Sequence, residues 1–305
     1  MHYFLFFLLI CDVILIIYNP VSGGKKAKRT LRLFQVYARL YNLNFKAYET
    51  IQSKDYKGIK LAFENIQPQL VISCGGDGTA NDIVNALYKP EYKNEIPLLV
   101  LPAGSGNDFS TQLYGKIKAT DLFEKCLNYT IKKVDLGLCN QNIFLNGIGI
   151  GFDGSIAQNT SSNKNRILPT TLKYYLAIFK NLFVFNEFDY HTSNDKANRK
   201  GFIVAISNGN SYGGGFKIAP KAKLDDGLLD VVEIGAVSKI KRPIYIPIVE
   251  KGKHLNLSFV THHQTQQIEI KSGSHQKIQA HADGEHFEAN TFNVEVLRAA
   301  LPVPV

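Results

Sequence analysis

From residue 12 to about residue 130, short apolar runs alternate with segments whose apolar positions recur every three or four residues. The runs 12–18, 44–49, 69–74 and 96–101 have the length and apolar character of strands in a buried parallel sheet. Between the first two, Ala27, Leu31, Phe34, Ala38 and Tyr41 fall on one helical face, and after the third so do Ala80, Ile83, Val84 and Leu87. This alternation predicts an α/β domain over 12–130, a parallel sheet with crossover helices. Each predicted helix follows a glycine-rich turn, and such sheets bind ligands at the carboxyl ends of their strands, where helix N-termini offer unpaired N–H groups.

Beyond about residue 131 the runs shorten and turn residues multiply. Strands are predicted over 142–150, 201–207, 228–234, 266–270 and 292–297, giving a mostly β domain over 131–291. Residues 169–183 read as a helical insert, Ser193–Lys200 as a polar loop, and 292–305 as a tail able to return to the first domain. At the other end, Met1–Ile17 is nearly all apolar, but Asp12 interrupts it, no basic start precedes it, and it falls short of the roughly 20 residues that cross a bilayer. Val13–Ile17 running into Asn19–Pro20 reads as a strand entering a loop, and residues 1–11 read either as a dispensable extension or as a membrane contact.

The 45% hydrophobic and 20% charged content of these 305 residues is that of a globular protein, and the net charge of +9 suits an anionic partner without choosing among phosphate, nucleic acid and membrane. No basic face studded with aromatics supports nucleic-acid binding. Cys11, Cys74, Cys126 and Cys139 are far apart and form neither a zinc pattern nor a disulfide framework, which fits a reducing cytoplasm.

The chemistry is concentrated in three turns. Gly75-Gly76-Asp77-Gly78-Thr79-Ala80-Asn81 lies between a predicted strand and helix, and its glycines let backbone amides approach an anion. Thr79 is placed to cap the helix or to donate to phosphate, and Asp77 needs a metal ion or a proton transfer to justify its place. Alone, this loop fits a tight turn before a capped helix equally well. Asn19-Pro20-Val21-Ser22-Gly23-Gly24 is a second such turn, followed by Lys25, Lys26, Lys28 and Arg29, cations that oppose a helix dipole and so point to bound phosphate, with a solvated basic face as the alternative. Leu101–Phe109, with Gly104-Ser105-Gly106, is the third. None matches a P-loop, and no dinucleotide fingerprint follows the first strand.

Together NPVSGG (19–24), GGDGTAND (75–82) and LPAGSGNDF (101–109) resemble the catalytic domain shared by soluble bacterial diacylglycerol kinases, sphingosine kinases and ceramide kinases. The resemblance extends through Asn146–Asp153 to about Phe287 and implies an NAD-kinase-like two-domain plan. It implies that Asn19, Pro20, Val21, Ser22, Gly23, Thr50, Gly75, Gly76, Asp77, Gly78, Thr79, Ala80, Asn81 and Ser105 hold ATP. By the same resemblance Asp77 places a catalytic Mg²⁺, while Asp226 and the carbonyls of Lys223 and Leu228 bind a structural Mg²⁺. His281-Ala282-Asp283-Gly284-Glu285 resembles the family's Asp-Gly-Glu, in which Glu285, aided by Asp283, deprotonates the acceptor; a hairpin there would aim both carboxylates at one point. His281 reads as an exposed or core-satisfied histidine.

The implied activity is transfer of the γ-phosphate of ATP to a lipid hydroxyl, diacylglycerol first, with a sphingoid or other lipid as the alternative. The chain would be cytoplasmic and peripherally attached to the membrane that holds its substrate, with no nucleic-acid partner, and homodimerisation is common in the family. NAD kinases share the GGDGT-type loop but are disfavoured by residues 19–24 and 101–109. A nucleotide-regulated membrane-binding module without catalysis is the non-enzyme reading. Lys239, Lys241, Arg242, Lys251 and Lys253 read as a solvated basic face, with attraction to anionic lipid as a secondary use.

Overall fold

The four apolar runs become strands β1 (Val13–Tyr18), β2 (Asn44–Glu49), β3 (Leu70–Gly75) and β4 (Leu98–Pro102) in the computed structural model, which describes residues 13–92, 95–162, 178–179, 181–193, 195–274 and 276–305. They are parallel and ordered β2-β1-β3-β4. β3 and β4 are buried throughout, whereas β2, at the sheet edge, leaves Asn44, Lys46, Ala47 and Glu49 exposed. Successive side chains of β1 and β3 serve opposite faces. Ile14, Ile16, Leu70 and Ile72 pack with helix α1 (Lys26–Leu40), and Leu15, Ile17 and Val71 with α3 (Asp77–Leu87). Helix α2 (Tyr56–Ile66) joins the second face through the buried Ile59, with Tyr56, Phe63 and Ile66 half-buried beside it at helical spacing. A short helix α4 (Asp108–Tyr114) follows β4.

The remaining chain builds an 11-stranded, largely antiparallel sheet. Its elements are β5 (Ile131–Cys139), β6 (Asn142–Phe144), β7 (Gly147–Gly151), α5 (Phe152–Ser162), β8 (Phe188–Thr192), β9 (Asp195–Ser207), β10 (Leu229–Gly235), α6 (Arg242–Glu250), β11 (Val260–Thr265), β12 (Gln267–Ser272), β13 (Ile278–Ala282), β14 (Glu285–Ala289) and β15 (Thr291–Pro304). The order is β14-β13-β7-β9-β8-β12-β15-β5-β6, with β10 pairing β9 and β11. This is the α/β domain plus mostly β domain that the patterning predicts. Val134, Leu136, Ile143, Leu145, Leu301 and Val303 share one core with β1, β3 and α3, which fixes the two sheets against each other.

Several boundaries differ from expectation. The run 142–150 is two strands, because the N–H groups of Leu145, Asn146 and Gly147 all turn to Asp283. Residues 195–200 are not a loop but the start of β9, whose Arg199 bridges Asp195 and Glu233 at 2.8 Å each and so makes a polar segment a strand. The 292–305 tail pairs with β12 and β5 in the second sheet and meets the first through side chains only. Arg242 does not belong to a solvated basic face: it is buried, donating to the carbonyls of Leu182 and Phe185 at 2.7 Å and pairing with Glu187 at 2.5 Å. Of the predicted helical insert 169–183, residues 178–179 and 181–183 are described and are helical; residues 1–12, including Cys11, lie outside the described residues. Among the described residues no helix is long and apolar enough to cross a membrane.

Candidate active site

At the carboxyl end of the parallel sheet the three glycine turns lie against one another. Asn19 closes the first, its Oδ1 accepting from Val21 N–H and its carbonyl from Ser22 N–H, both at 3.1 Å. Gly23, Gly24 and Lys25 then adopt left-handed φ of 56°, 62° and 80°. A Cβ on Gly23 would stand 2.7 Å from the carbonyl oxygen of Ala103, and one on Gly104 would stand 2.6 Å from the backbone nitrogen of Gly76. The turns after β3 and β4 are therefore in backbone contact, an approach that only glycine permits.

Carboxylates tie these turns to each other and to the second domain. Gly76 is the N-cap of α3, so Asp77 opens the helix. Its Oδ2 accepts from Asp108 N–H at 2.9 Å and its Oδ1 from Phe109 N–H at 3.1 Å, which caps α4 from a different strand end. Asp108 accepts from Gly214 N–H at 3.0 Å and from the Ser211 hydroxyl at 3.4 Å. Asp283 accepts from Leu145, Asn146 and Gly147 N–H at 2.6, 2.9 and 3.1 Å, and from the side-chain amide of Asn81 on α3 at 2.9 Å. Burial, then the nearby Asp108 charge, raises Asp77 to about 7 against its two backbone bonds. Burial likewise pushes Asp108 and Asp283 upward, in each case against donors that favour the ionised form.

These groups enclose a crevice of about 550 Å³ between the domains. Val21, Ser22, Gly23, Gly76, Asp77, Gly78 and Ser105 of the predicted nucleotide set line it, together with Gly106, Asp108, Asn146, Asp153, Tyr212, His281 and Asp283. The side-chain oxygen of Asn146 is buried there with no partner among the described residues. Asn19, Pro20, Thr50, Gly75, Thr79, Ala80 and Asn81 are not on its wall. Asn19 shapes the first turn; Thr50 continues the β1–β2 pairing through the Tyr18 carbonyl; Ala80 is fully buried. Thr79 is the third residue of α3 rather than its cap, and its side chain packs back on Gly75.

Asp283 and Gly284, at φ of 47° and 88°, form the two-residue turn between β13 and β14. The hairpin is the expected one, but its carboxylates diverge. Asp283 turns into the 145–147 loop, while Glu285 faces a smaller cavity beside Lys54, 3.3 Å from its ammonium. His281 is buried; its Nδ1 accepts from Gly284 N–H at 3.2 Å and burial lowers its pKa to about 4, so the ring is neutral.

Asp226 accepts from Leu228 N–H at 3.1 Å and from Gln264 at 3.4 Å, and Gln264 also donates to the buried Asp230 at 3.1 Å. The loop is anchored from behind by Asp135, which accepts from Gly227 N–H at 2.7 Å. Next to the crevice lies a second, narrow cavity of about 60 Å³ with an apolar wall that includes Phe152, Ile156, Leu182, Phe202, Tyr245 and Phe259.

Sequence reasoning passed over Asp108, Asn146, Asp153 and Tyr212. Asp108, Asn146 and Asp153 lay within quoted motifs, Asp108 directly after a glycine turn, and were given no role; Tyr212 had no signal short of the fold.

The diacylglycerol kinase catalytic domain matches residues 13–139, and the YegS C-terminal NAD kinase beta sandwich-like domain matches residues 146–305. A Shewanella frigidimarina protein described as "Probable lipid kinase YegS-like" is 30% identical over 241 residues, 76% of this chain and 74% of the relative. Diacylglycerol kinases of Staphylococcus haemolyticus and Staphylococcus epidermidis are 26% and 28% identical over 292 and 289 residues, each covering 92% of this chain and 85% and 89% of the relatives. A Bacillus anthracis crystal structure described as a diacylglycerol kinase shares the fold at TM-score 0.66 and 20% identity, covering 96% of both chains, and another from the same strain does so at 0.74 and 22%, covering 96% of this chain and 94% of the other.

Proposed function

The chain belongs to the diacylglycerol kinase family of lipid kinases, and from that premise we propose that it transfers the γ-phosphate of ATP to the hydroxyl of diacylglycerol, giving phosphatidic acid. The observation that carries this reading is the adjacency of a glycine-walled polar crevice and an apolar cavity in the second domain. The first suits phosphates, since its glycine walls let backbone amides of residues 23, 76, 78, 105 and 106 approach their oxygens. The second suits a lipid tail. At about 60 Å³ it is well below the roughly 300 Å³ of an open ligand pocket, so the tail must part α6 from the helical residues 178–179 and 181–184 as it enters.

Four carboxylates, Asp77, Asp108, Asp153 and Asp283, line the crevice, and no Lys or Arg does among the described residues. Burial, and after it the charge of Asp108, raises Asp77, and a hard divalent cation relieves both, so Mg²⁺ fits the donor set. When bound it neutralises phosphate charge in the transfer. Asp77 and Asp108 are the carboxylates that would hold it. Asp226, with the carbonyls of Lys223 and Leu228, would hold the structural ion, and the Leu228 N–H and Gln264 contacts already orient its carboxylate.

Transfer forms a bond between the acceptor oxygen and the γ-phosphorus and breaks the bond to the β–γ bridging oxygen, whose electrons leave with ADP. The hydroxyl proton passes to Glu285. Both oxygens of Asp283 are engaged by four donors, which suits a scaffold and leaves Glu285 as the proton acceptor. The Lys54–Glu285 pair is 49% and 41% exposed, and a surface pair of this kind stabilises by at most about 1 kcal/mol, so turning Glu285 to the crevice costs little.

Membrane contact is supported by Phe179, Phe183, Val184, Ile240 and Ile244, all exposed beside the apolar cavity and next to Lys239 and Lys241. The reading is tested by offering diacylglycerol, a sphingoid base and NAD side by side with labelled ATP and Mg²⁺. Label in phosphatidic acid is expected; label in NAD phosphate alone would refute it.

A further inference from the structure

Glu285, the proton acceptor of the proposed transfer, heads β14 but is not on the crevice wall. Two neighbouring residues of the β2–α2 loop, in the first domain, hold it. Lys54 Nζ stands 3.3 Å from Oε2, and the Ser53 hydroxyl donates to Oε1 at 3.4 Å. The loop is itself fixed. Lys54 N–H donates to Oδ1 of the buried Asp82 on α3 at 3.2 Å, and Asp55, buried at the loop's end, accepts from the Tyr48 hydroxyl at 2.7 Å and from Ile51 N–H at 3.4 Å. Lys54 has a left-handed φ of 60°, a conformation that disfavours any side chain and suits glycine. The backbone bond to Asp82 does not account for a lysine there, because glycine would make the same bond. What glycine lacks is the ammonium beside Glu285, so the strained residue points to a use for that contact.

We propose that Lys54, with Ser53, is a positioning residue that holds Glu285 outside the crevice until a lipid acceptor is bound, and so favours transfer to lipid over hydrolysis of ATP. This rests on the lipid-kinase reading and deepens it. Water competes wherever a phosphoryl group is transferred. Its oxygen bonds to the γ-phosphorus, the bond to the β–γ bridging oxygen breaks with its electrons leaving on ADP, and its proton goes to the same base. A carboxylate fixed at the crevice would serve water and lipid alike. Drawn onto Lys54 it serves neither, and the base turns inward for each turnover. An exposed ion pair shifts such an equilibrium by about two- to fivefold, which slows hydrolysis yet is small enough for a bound lipid to offset through its own contacts.

The test measures phosphate release from ATP and Mg²⁺ by the full chain without lipid, then transfer to dioctanoylglycerol in mixed micelles. Wild type is compared with Lys54→Gly, whose backbone suits the turn, with Lys54→Gln, which keeps the side-chain length, and with Lys54→Arg, which keeps the charge. Lipid-independent hydrolysis is expected to rise about two- to fivefold in Lys54→Gly and Lys54→Gln and to stay near wild type in Lys54→Arg. Transfer changes less than hydrolysis, so the ratio of transfer to hydrolysis falls in the first two variants. Adding Glu285→Gln to Lys54→Gly is expected to abolish the rise, which a merely structural role for Lys54 would not do. Hydrolysis at the wild-type rate in both Lys54→Gly and Lys54→Gln, or a rise that persists with Glu285→Gln, would overturn the proposal. Unmoved hydrolysis in a wild type that phosphorylates lipid sinks this inference alone; a Glu285-dependent rise in a protein that phosphorylates no lipid refutes the kinase reading and leaves the Lys54 contact standing.

Discussion

Replacing Asp283 by asparagine removes one charge and no volume, and the structure sets the size of the effect. Asn146 and Gly147 N–H both reach Oδ1, so an asparagine oxygen placed there keeps those two bonds. Leu145 N–H at 2.6 Å and the Asn81 amide at 2.9 Å both reach Oδ2, and an NH₂ group there would face two donors with a third. Two hydrogen bonds to a charged acceptor are lost, each worth roughly 1.5–3 kcal/mol, for a total of about 3 kcal/mol or more. At about 2–4 °C per kcal/mol, the melting temperature should fall by roughly 6–12 °C. The assay is thermal unfolding of wild type, Asp283→Asn, Asn81→Ala and the double variant. Because the two residues share a bond, their effects should be less than additive by roughly 1 kcal/mol. A drop under about 2 °C, or strict additivity, would refute the claim that Asp283 joins the hairpin, the β6–β7 loop and α3.

Gly104→Ala sets a Cβ against the Gly76 backbone and should reduce phosphate transfer by about 100-fold, as for an angstrom-scale misplacement; wild-type transfer rates would contradict the packed-turn geometry. Asp82 accepts from Lys54 N–H at 3.2 Å, and burial raises its pKa from 3.8 to about 7. A raised folded-state pKa contributes stability that is complete below about pH 4 and is lost as pH rises through about 7. The stability of wild type relative to Asp82→Asn should therefore decline between about pH 5 and 7.5 in urea titrations, and a rise would contradict the shift. Asp226→Ala is expected to lower both Mg²⁺ content, by elemental analysis, and melting temperature; unchanged metal content would remove that ion site.

Much of the architecture was legible because its signals are local. The buried runs of β1, β3 and β4, the glycine turns after them and the Asp283-Gly284 hairpin are contiguous in sequence, and backbone geometry follows from their composition. The direction of side chains was not. Asp77 and Asp283 look like free acids in a motif, yet each is satisfied by amides from another part of the chain, 31 residues away for Asp77–Asp108 and 138 for Asp283–Leu145. Arg242 sits among lysines in sequence and in the interior in space, since only the fold brings the carbonyls of Leu182 and Phe185 to it. Tyr212 lies in no quoted motif and reaches the crevice wall only through the fold. Asp195–Lys200 reads as loop by polarity, and cross-strand pairing of Arg199 with Glu233 overrides that preference.

The most direct test follows label from γ-³²P-ATP into lipid in mixed micelles of diacylglycerol, with Mg²⁺, for wild type and for Glu285→Gln. Labelled phosphatidic acid from wild type, with the rate lowered by about 100-fold or more in the variant, is the predicted result for loss of a general base. An equal rate in the variant would contradict the role of Glu285, and no labelled lipid from a folded, nucleotide-binding wild type would contradict the kinase itself.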